Sequence, residues 1–169
     1  MIKALIFDMG GVLILNEIKQ VYIKLGELIG VDGNALAQLV WANRQKFMDG
    51  TYSTKAFCLL IKDRFKLKEK TEDIASKWRT VFLEQLRVNK KLYEIIDKLN
   101  DNYATAVITD APALHAEINR EKGLYKPFKT TIISSKIGFV KHFFIKLIMG
   151  FNTFTSGIAC FMLWSPNHS

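Results

Sequence analysis

The first apolar segment of the chain is continuous rather than alternating. Residues 2 to 7 are apolar except for Lys3, and the run ends at Asp8, which is followed by Gly10 and Gly11. A short apolar run closed by glycine is typical of a strand covered on both faces, as in a parallel sheet. The pattern predicts a buried strand within residues 1 to 13 that delivers one carboxylate, Asp8, into a sharp turn.

From residue 16 to about residue 88 the apolar spacing becomes helical, and no strand is evident. The periodicity predicts four helices, the second of which carries a stripe that runs from Leu36 to Phe47. Breaks fall at GVDGN and DGTYS, where Asp32, Asn34 or Ser53 can cap the next helix, and Thr71 with Glu72 lies in the capping region of the fourth.

Strand and helix then alternate. The segment LYEIIDKLN predicts an amphipathic helix, ATAVITD a second buried strand, and TTIISS a third β-rich run. Between the last two, Pro112 suits the first turn of a helix that Gly123 closes. Alternation of this kind predicts an α/β fold with a Rossmann-like parallel sheet, interrupted by an all-helical insertion.

The C-terminal segment has a different composition. After Lys146 there is no Asp, Glu, Lys or Arg. Residues 143–164 are mostly apolar and long enough to be a membrane-span candidate, although polar residues and glycines interrupt their centre. We therefore expect a helix, a turn and a buried strand, with a membrane anchor as the alternative.

Charge and cysteine content narrow the class of partner. A net charge of +8 attracts anions, but the basic residues are scattered among acidic ones, so we expect a small anionic partner and no nucleic acid. Cys58 and Cys160 are far apart and lack any zinc-site spacing. With no secretory signal at the N-terminus, the sequence predicts a cytoplasmic protein.

The candidate chemistry lies at strand ends. Asp8 ends the first predicted strand and can act as a nucleophile, while the amides around Gly10 and Gly11 can hold an anion. Thr109 and Asp110 end the second strand, and Lys141 follows the third β-rich run. A hydroxyl, backbone amides and a lysine are the donors that a phosphoryl group requires, so these residues form a candidate phosphate-binding set.

The order LIFDMGGVL, then a helical insertion, then AVITDAPALHAEINREKGLYKPFKTTIISSKIGFVK resembles the haloacid dehalogenase (HAD) superfamily over roughly residues 1 to 149. The resemblance implies a phosphatase of small phosphorylated metabolites that works through an aspartyl-phosphate on Asp8. It implies that Lys141 is catalytic, and that Gly10, Gly11, Thr109, Asp110 and Lys141 bind substrate. It further implies a core of residues 1–15 and 89–169, a helical cap of residues 16–88, and Mg²⁺ held by Asp8 and the Gly10 carbonyl.

The sequence also departs from that family at two motifs. Gly10 occupies the position of the second aspartate, which serves as general acid and base in most of the family's phosphatases. Leu163 and Trp164 stand near the expected metal-binding acidic pair, so we expect the terminus beyond about Lys146 to be altered or truncated and the core sheet to be incomplete there. A catalytically impaired relative, a haloacid dehalogenase and a protein anchored through residues 143–164 therefore remain alternatives.

Overall fold

A computed structural model describes residues 2–143 and the backbone of residues 158–161. The strands are β1 (Ala4–Asp8), β2 (Ala104–Thr109), β3 (Thr130–Ile133) and β4 (Ile158–Phe161). The helices are α1 (Ile18–Leu28), α2 (Gly33–Ala42), α3 (Arg44–Met48), α4 (Thr54–Phe65), α5 (Thr71–Gln85), α6 (Lys90–Leu99), α7 (Ala113–Glu121) and α8 (Ser134–Ile137).

The four strands form one parallel sheet in the order β3-β2-β1-β4. Leu5 and Phe7 of β1 are buried together with Val107 of β2, because helices and loops cover the sheet. This confirms the predicted α/β fold with a Rossmann-like parallel sheet. In chain order, β1, β2 and β3 lie side by side, and β4 then pairs with the other side of β1.

The third β-rich run is shorter than predicted. The strand ends at Ile133, and Ser134 begins the short helix α8, which Gly138 ends in the left-handed region at φ 79°. No side chain caps this helix, and the Ser134 hydroxyl instead bonds to the Met48 carbonyl and the Ala111 amide. The TTIISS pattern was therefore correct for its first four residues only.

Residues 16–88 contain five helices, α1 to α5, where four were predicted. The apolar stripe that ends at Phe47 is divided at Asn43, whose Nδ2 donates to the Leu39 carbonyl at 2.9 Å and ends α2. Of the predicted caps, the Asp32 carboxylate and the Ser53 hydroxyl each accept an amide at a helix start. Thr71 and Glu72 are the first two residues of α5, directly after the N-cap residue Lys70, whose side chain makes no capping hydrogen bond.

The chain leaves and re-enters the sheet through two adjacent backbone segments. The Leu15 amide donates to the Arg87 carbonyl at 2.8 Å, and the Asn89 amide donates to the Leu13 carbonyl at 2.9 Å. Ile14 and Val88 form an antiparallel bridge between these two bonds. The helical region therefore begins and ends at one paired point beside the sheet.

A buried aromatic seam joins the helical region to the sheet layer through α5 and α7. Trp78 Nε1 donates to His115 Nε2 at 3.0 Å, and the Phe82 ring stacks on the imidazole at 3.9 Å. His115 is only 4% exposed. Burial lowers the pKa of His115 to about 3, so the imidazole is neutral and accepts the indole N–H.

Trp78 and Trp41 differ in burial. Trp78 is fully buried, whereas Trp41 is 48% exposed on the outer face of α2. The Trp41 ring lies under the guanidinium of Arg44, 4.6 Å from its centroid. An arginine that covers the ring explains how an aromatic side chain remains at the surface.

Candidate active site

The strand order determines where a ligand site is expected. In an open parallel sheet, ligands bind at the carboxyl ends of the strands where the strand order reverses. Here the reversal lies at β1, which has β2 on one side and β4 on the other. Asp8 is the last residue of β1 and Thr109 the last of β2, so both predicted residues lie at that edge.

The turn after β1 is built around one carbonyl. The Met9 carbonyl accepts from Leu13 N at 2.9 Å and from Ile14 N at 2.8 Å. Gly11 has φ 76°, a conformation that costs little only for glycine, and its amide donates to the Ile14 carbonyl. The Gly11 amide is therefore used within the turn, and the role of both glycines in substrate binding stays a prediction.

The Asp8 carboxylate is held by two donors. Its Oδ1 accepts from the Met9 amide at 2.8 Å, and its Oδ2 accepts from Lys141 Nζ at 2.5 Å. The Asp8 side chain is 10% exposed and that of Lys141 is 32% exposed. A carboxylate in this position is fixed in orientation, and the ammonium stabilises its negative charge.

Lys141 also contacts the second predicted carboxyl group. Its backbone amide donates to Asp110 Oδ1 at 2.6 Å. A single residue therefore links the carboxyl group that follows β2 to the one that ends β1. The structure brings Asp8, Asp110 and Lys141 together, with the buried Thr109 directly before Asp110.

The environment of Asp110 favours its neutral form. Burial raises the pKa of the Asp110 carboxyl, and the nearby charge of Asp8 acts in the same direction. The hydrogen bond from the Lys141 amide and the positive charges of Lys141 and Arg44 oppose this rise without reversing it. The charge of Arg44, the first residue of α3, thus acts on Asp110 from the helical region, which the sequence did not indicate.

A further contact missed by the sequence analysis joins the helical region to the strand ends. The Ser134 hydroxyl donates to the Met48 carbonyl at 2.6 Å and accepts from the Ala111 amide at 3.1 Å. Beside it, a Cβ added at Gly50 would lie 2.3 Å from the Ser135 carbonyl oxygen. These contacts hold α3 and the turn after it against the edge of the sheet that carries Asp110.

The described residues do not fit a magnesium ion. Mg²⁺ is bound through carboxylate oxygens, yet both oxygens of Asp8 are engaged, one of them by a lysine cation that would repel a metal. Within the described part of the chain, no group of three acidic, histidine or cysteine side chains is close enough to hold a metal. Residues 144–169 contain no Asp or Glu.

The predictions for the C-terminal segment fall largely on residues that the structure does not describe. Leu163 and Trp164, at the position of the expected acidic pair, lie outside the described residues, as does nearly all of the segment 143–164. Among the helices that are described, none is both apolar enough and long enough to cross a bilayer.

Comparisons with known proteins concern the fold of the chain. No family model matches the sequence, and no curated protein does. Among solved structures, a predicted HAD-like hydrolase from Porphyromonas gingivalis has a TM-score of 0.72 at 17% identity, covering 95% of this chain and 81% of that one. The chain has the haloacid dehalogenase fold.

Two other solved structures are similar to this chain. A HAD family enzyme from Bacteroides thetaiotaomicron, in complex with magnesium and inorganic phosphate, has a TM-score of 0.66 at 16% identity over 90% of this chain and 80% of that one. A dehalogenase has a TM-score of 0.54 at 15% identity over 88% of this chain and 72% of that one. At these identities the likeness is one of fold.

Proposed function

We propose that the protein is a hydrolase of small phosphomonoesters in which Asp8 is the nucleophile. The observation that carries this proposal is the Asp8 carboxylate, held at the reversal point of the sheet by Lys141 Nζ at 2.5 Å and by the Met9 amide. Attack by a carboxylate on phosphorus divides one difficult hydrolysis into two easier displacements through a covalent intermediate.

The remaining residues of the site have distinct roles in this proposal. Lys141 orients Asp8 and neutralises charge on the phosphoryl oxygens, while Thr109 donates a hydroxyl to them. The Gly10 amide lies next to the nucleophile in the turn. Inorganic phosphate bound to the Bacteroides enzyme of the same fold supports a phosphorylated substrate.

The helical region has the place of a substrate-selecting cap. We propose the division into a core of residues 1–15 and 89–169 and a cap of residues 16–88, because the chain leaves and returns through the paired segments at Leu15 and Asn89. A cap excludes water and selects substrates. We also propose a cytoplasmic location.

Magnesium carries no step of this proposal, because the residues present do not fit it. The positive charge at the site comes from Lys141, with Arg44 close enough to influence Asp110. The same lack of a metal cluster among the described residues favours a second candidate, a catalytically impaired relative that binds phosphorylated ligands without turning them over. A dehalogenase, which needs no acid at position 10, is the third candidate and is favoured by Gly10.

The experiment that separates these candidates is a substrate panel with matched variants. Purified protein is assayed for phosphate release from phosphomonoesters and for halide release from 2-haloacids, with Mg²⁺ and with EDTA. We expect phosphate release, its loss in Asp8→Asn, and a decrease of about 10²- to 10³-fold in Lys141→Met. The exposed Lys136 provides the control Lys136→Met, which removes the same charge away from Asp8 and should retain wild-type activity.

Phosphate release that is equal in wild type and Asp8→Asn would refute the proposal. Halide release without phosphate release would favour the dehalogenase. Binding of phosphate without any turnover would favour the impaired relative.

A further inference from the structure

The proposed reaction needs a proton donor that the expected position does not supply. When a phosphomonoester is cleaved, the departing alkoxide requires a proton, and the attacking water later has to lose one. In the family that the sequence resembles, an aspartate two residues after the nucleophile does this work. Here that residue is Gly10, which has no side chain.

A second carboxyl group lies at the same edge of the sheet. Asp110 follows Thr109 at the end of β2, the strand that pairs with β1, and β1 and β2 are parallel with Asp8 opposite Ile108. Asp110 therefore lies two residues beyond the level of the nucleophile, past the carboxyl end of β2.

Lys141 sets the arrangement of the two carboxyl groups. Its side chain holds Asp8 Oδ2 at 2.5 Å, and its backbone amide holds Asp110 Oδ1 at 2.6 Å. Both contacts come from one residue, so Lys141 links the two carboxyl groups through its backbone amide and its side chain. We propose that Asp110 is the proton-transfer residue of this site and replaces the acid that is missing at Gly10; this assignment rests on the proposed function.

The electrostatic environment suits that task. Burial raises the pKa of Asp110, as does the charge of Asp8, so the carboxyl keeps its proton to higher pH than an exposed aspartate. The charged groups that face it are Asp8 from β1, Lys141 from the segment after α8, and Arg44 from α3. His142 is exposed beside Lys141.

The two displacements then balance. Asp8 Oδ forms a bond to phosphorus, the bond between phosphorus and the ester oxygen breaks, and the departing oxygen takes the Asp110 proton, which releases an alcohol. A water molecule next attacks phosphorus and gives a proton to the Asp110 carboxylate. The bond between phosphorus and Asp8 breaks, which releases inorganic phosphate and restores both carboxyl groups.

The test compares two leaving groups in Asp110→Asn. An alkyl phosphate needs a proton on its leaving oxygen, whereas p-nitrophenyl phosphate releases a stable phenolate without one. We expect kcat/KM for the alkyl phosphate to fall about 10²- to 10⁴-fold and kcat/KM for p-nitrophenyl phosphate to fall less than about tenfold. Because the second displacement also loses its base, a burst of p-nitrophenol should precede a slow steady state.

Two variants serve as controls for structure. Asp110→Glu keeps a carboxyl group and should recover part of the alkyl phosphate activity. Asp101→Asn makes the same chemical change at an exposed position and should behave as wild type. An equal fall of kcat/KM for both substrates, or no fall for either, would overturn the assignment of Asp110.

The wild-type protein provides a measurement that does not depend on the folding of Asp110→Asn. Its pH profile of kcat/KM should show a decline toward high pH with the alkyl phosphate that is absent with p-nitrophenyl phosphate, and the same decline with both would count against Asp110. Failure of the proposed function is distinguishable, since it means that wild type releases no phosphate from either substrate or that Asp8→Asn is as active as wild type. Either result removes this assignment too.

Discussion

The aromatic seam between α5 and α7 should make the free energy of unfolding depend on pH. His115 is buried against Phe82, and its Nε2 accepts the indole N–H of Trp78. Burial lowers the pKa of His115 to about 3, against 6.5 for the ordinary side chain. Between these values the unfolded chain binds a proton at this residue and the folded chain does not, so stability decreases as pH falls.

The size of the effect follows from the two pKa values. The stabilisation is fully present above pH 6.5 and is lost progressively as pH falls toward 3. Each pH unit well inside this window costs about 1.4 kcal/mol, so the free energy of unfolding should fall by about 2 kcal/mol between pH 7 and pH 5 through His115 alone. The raised pKa of Asp110 acts in the opposite direction, which is why a variant is needed to isolate the histidine.

The assay is urea unfolding of wild type and His115→Gln at pH 7, 6 and 5. Glutamine keeps an acceptor for Trp78 Nε1 but does not titrate, so it should lower stability by a constant amount and remove about 2 kcal/mol of the pH dependence. His142→Gln removes an exposed imidazole and should retain the wild-type pH dependence. The same pH dependence in wild type and His115→Gln would show that His115 does not cause the loss of stability at low pH.

Three further predictions concern the site and its surroundings. Adding Gly10→Asp to Asp110→Asn should partly restore alkyl phosphate turnover, since a Cβ at Gly10 meets nothing within 4 Å. Equal rates for Gly10→Asp and the isosteric Gly10→Asn in the Asp110→Asn protein would contradict a proton-transfer role for the new carboxyl group. Gly50→Ala should lose more stability in urea than Gly30→Ala. Both glycines have positive φ, which costs alanine about 1–2 kcal/mol, but only at Gly50 would the Cβ lie 2.3 Å from the Ser135 carbonyl oxygen. Equal losses of stability in the two variants would contradict the contact between this turn and Ser135. Calorimetric titration should find no tight Mg²⁺ binding, whereas submillimolar binding that disappears with the nucleophile carboxylate would show that the site holds the metal after all.

The sheet could be predicted from the sequence because its strands are short apolar runs that end at turn residues. The strand that ends at Asp8 and the strand that ends at Thr109 both follow this pattern, and parallel strands place their carboxyl ends at one edge. The convergence of Asp8, Asp110 and Lys141 was therefore predictable as a group, although their hydrogen bonds were not.

The contributions of the helical region could not be predicted in the same way. Arg44 is an exposed arginine with no motif around it, and its position near Asp110 depends on how α3 is seated on the sheet. Ser134 sat in a β-rich pattern, and nothing local indicated that its hydroxyl would join the Met48 carbonyl to the Ala111 amide. Contacts between residues far apart in sequence leave no periodic signal.

The break in the helix at Asn43 illustrates a different limit. The apolar spacing continues through this residue to Phe47, so periodicity alone indicates one helix. At Asn43 the backbone leaves the helical conformation (φ −109°, ψ 9°), and both its amide and its side chain donate to the Leu39 carbonyl, which a hydrophobic pattern does not register.

The most direct test of the proposed function is to trap the covalent intermediate. Protein mixed with p-nitrophenyl phosphate and quenched in acid within the burst is digested and analysed by mass spectrometry. We expect one phosphoryl group on the peptide that contains Asp8, and hydroxylamine should remove it, as it does from an acyl phosphate. The labelled peptide should be more abundant in Asp110→Asn than in wild type and absent in Asp8→Asn. Phosphate release without any label on that peptide, or equal labelling of Asp8→Asn, would contradict the assignment of Asp8 as the nucleophile.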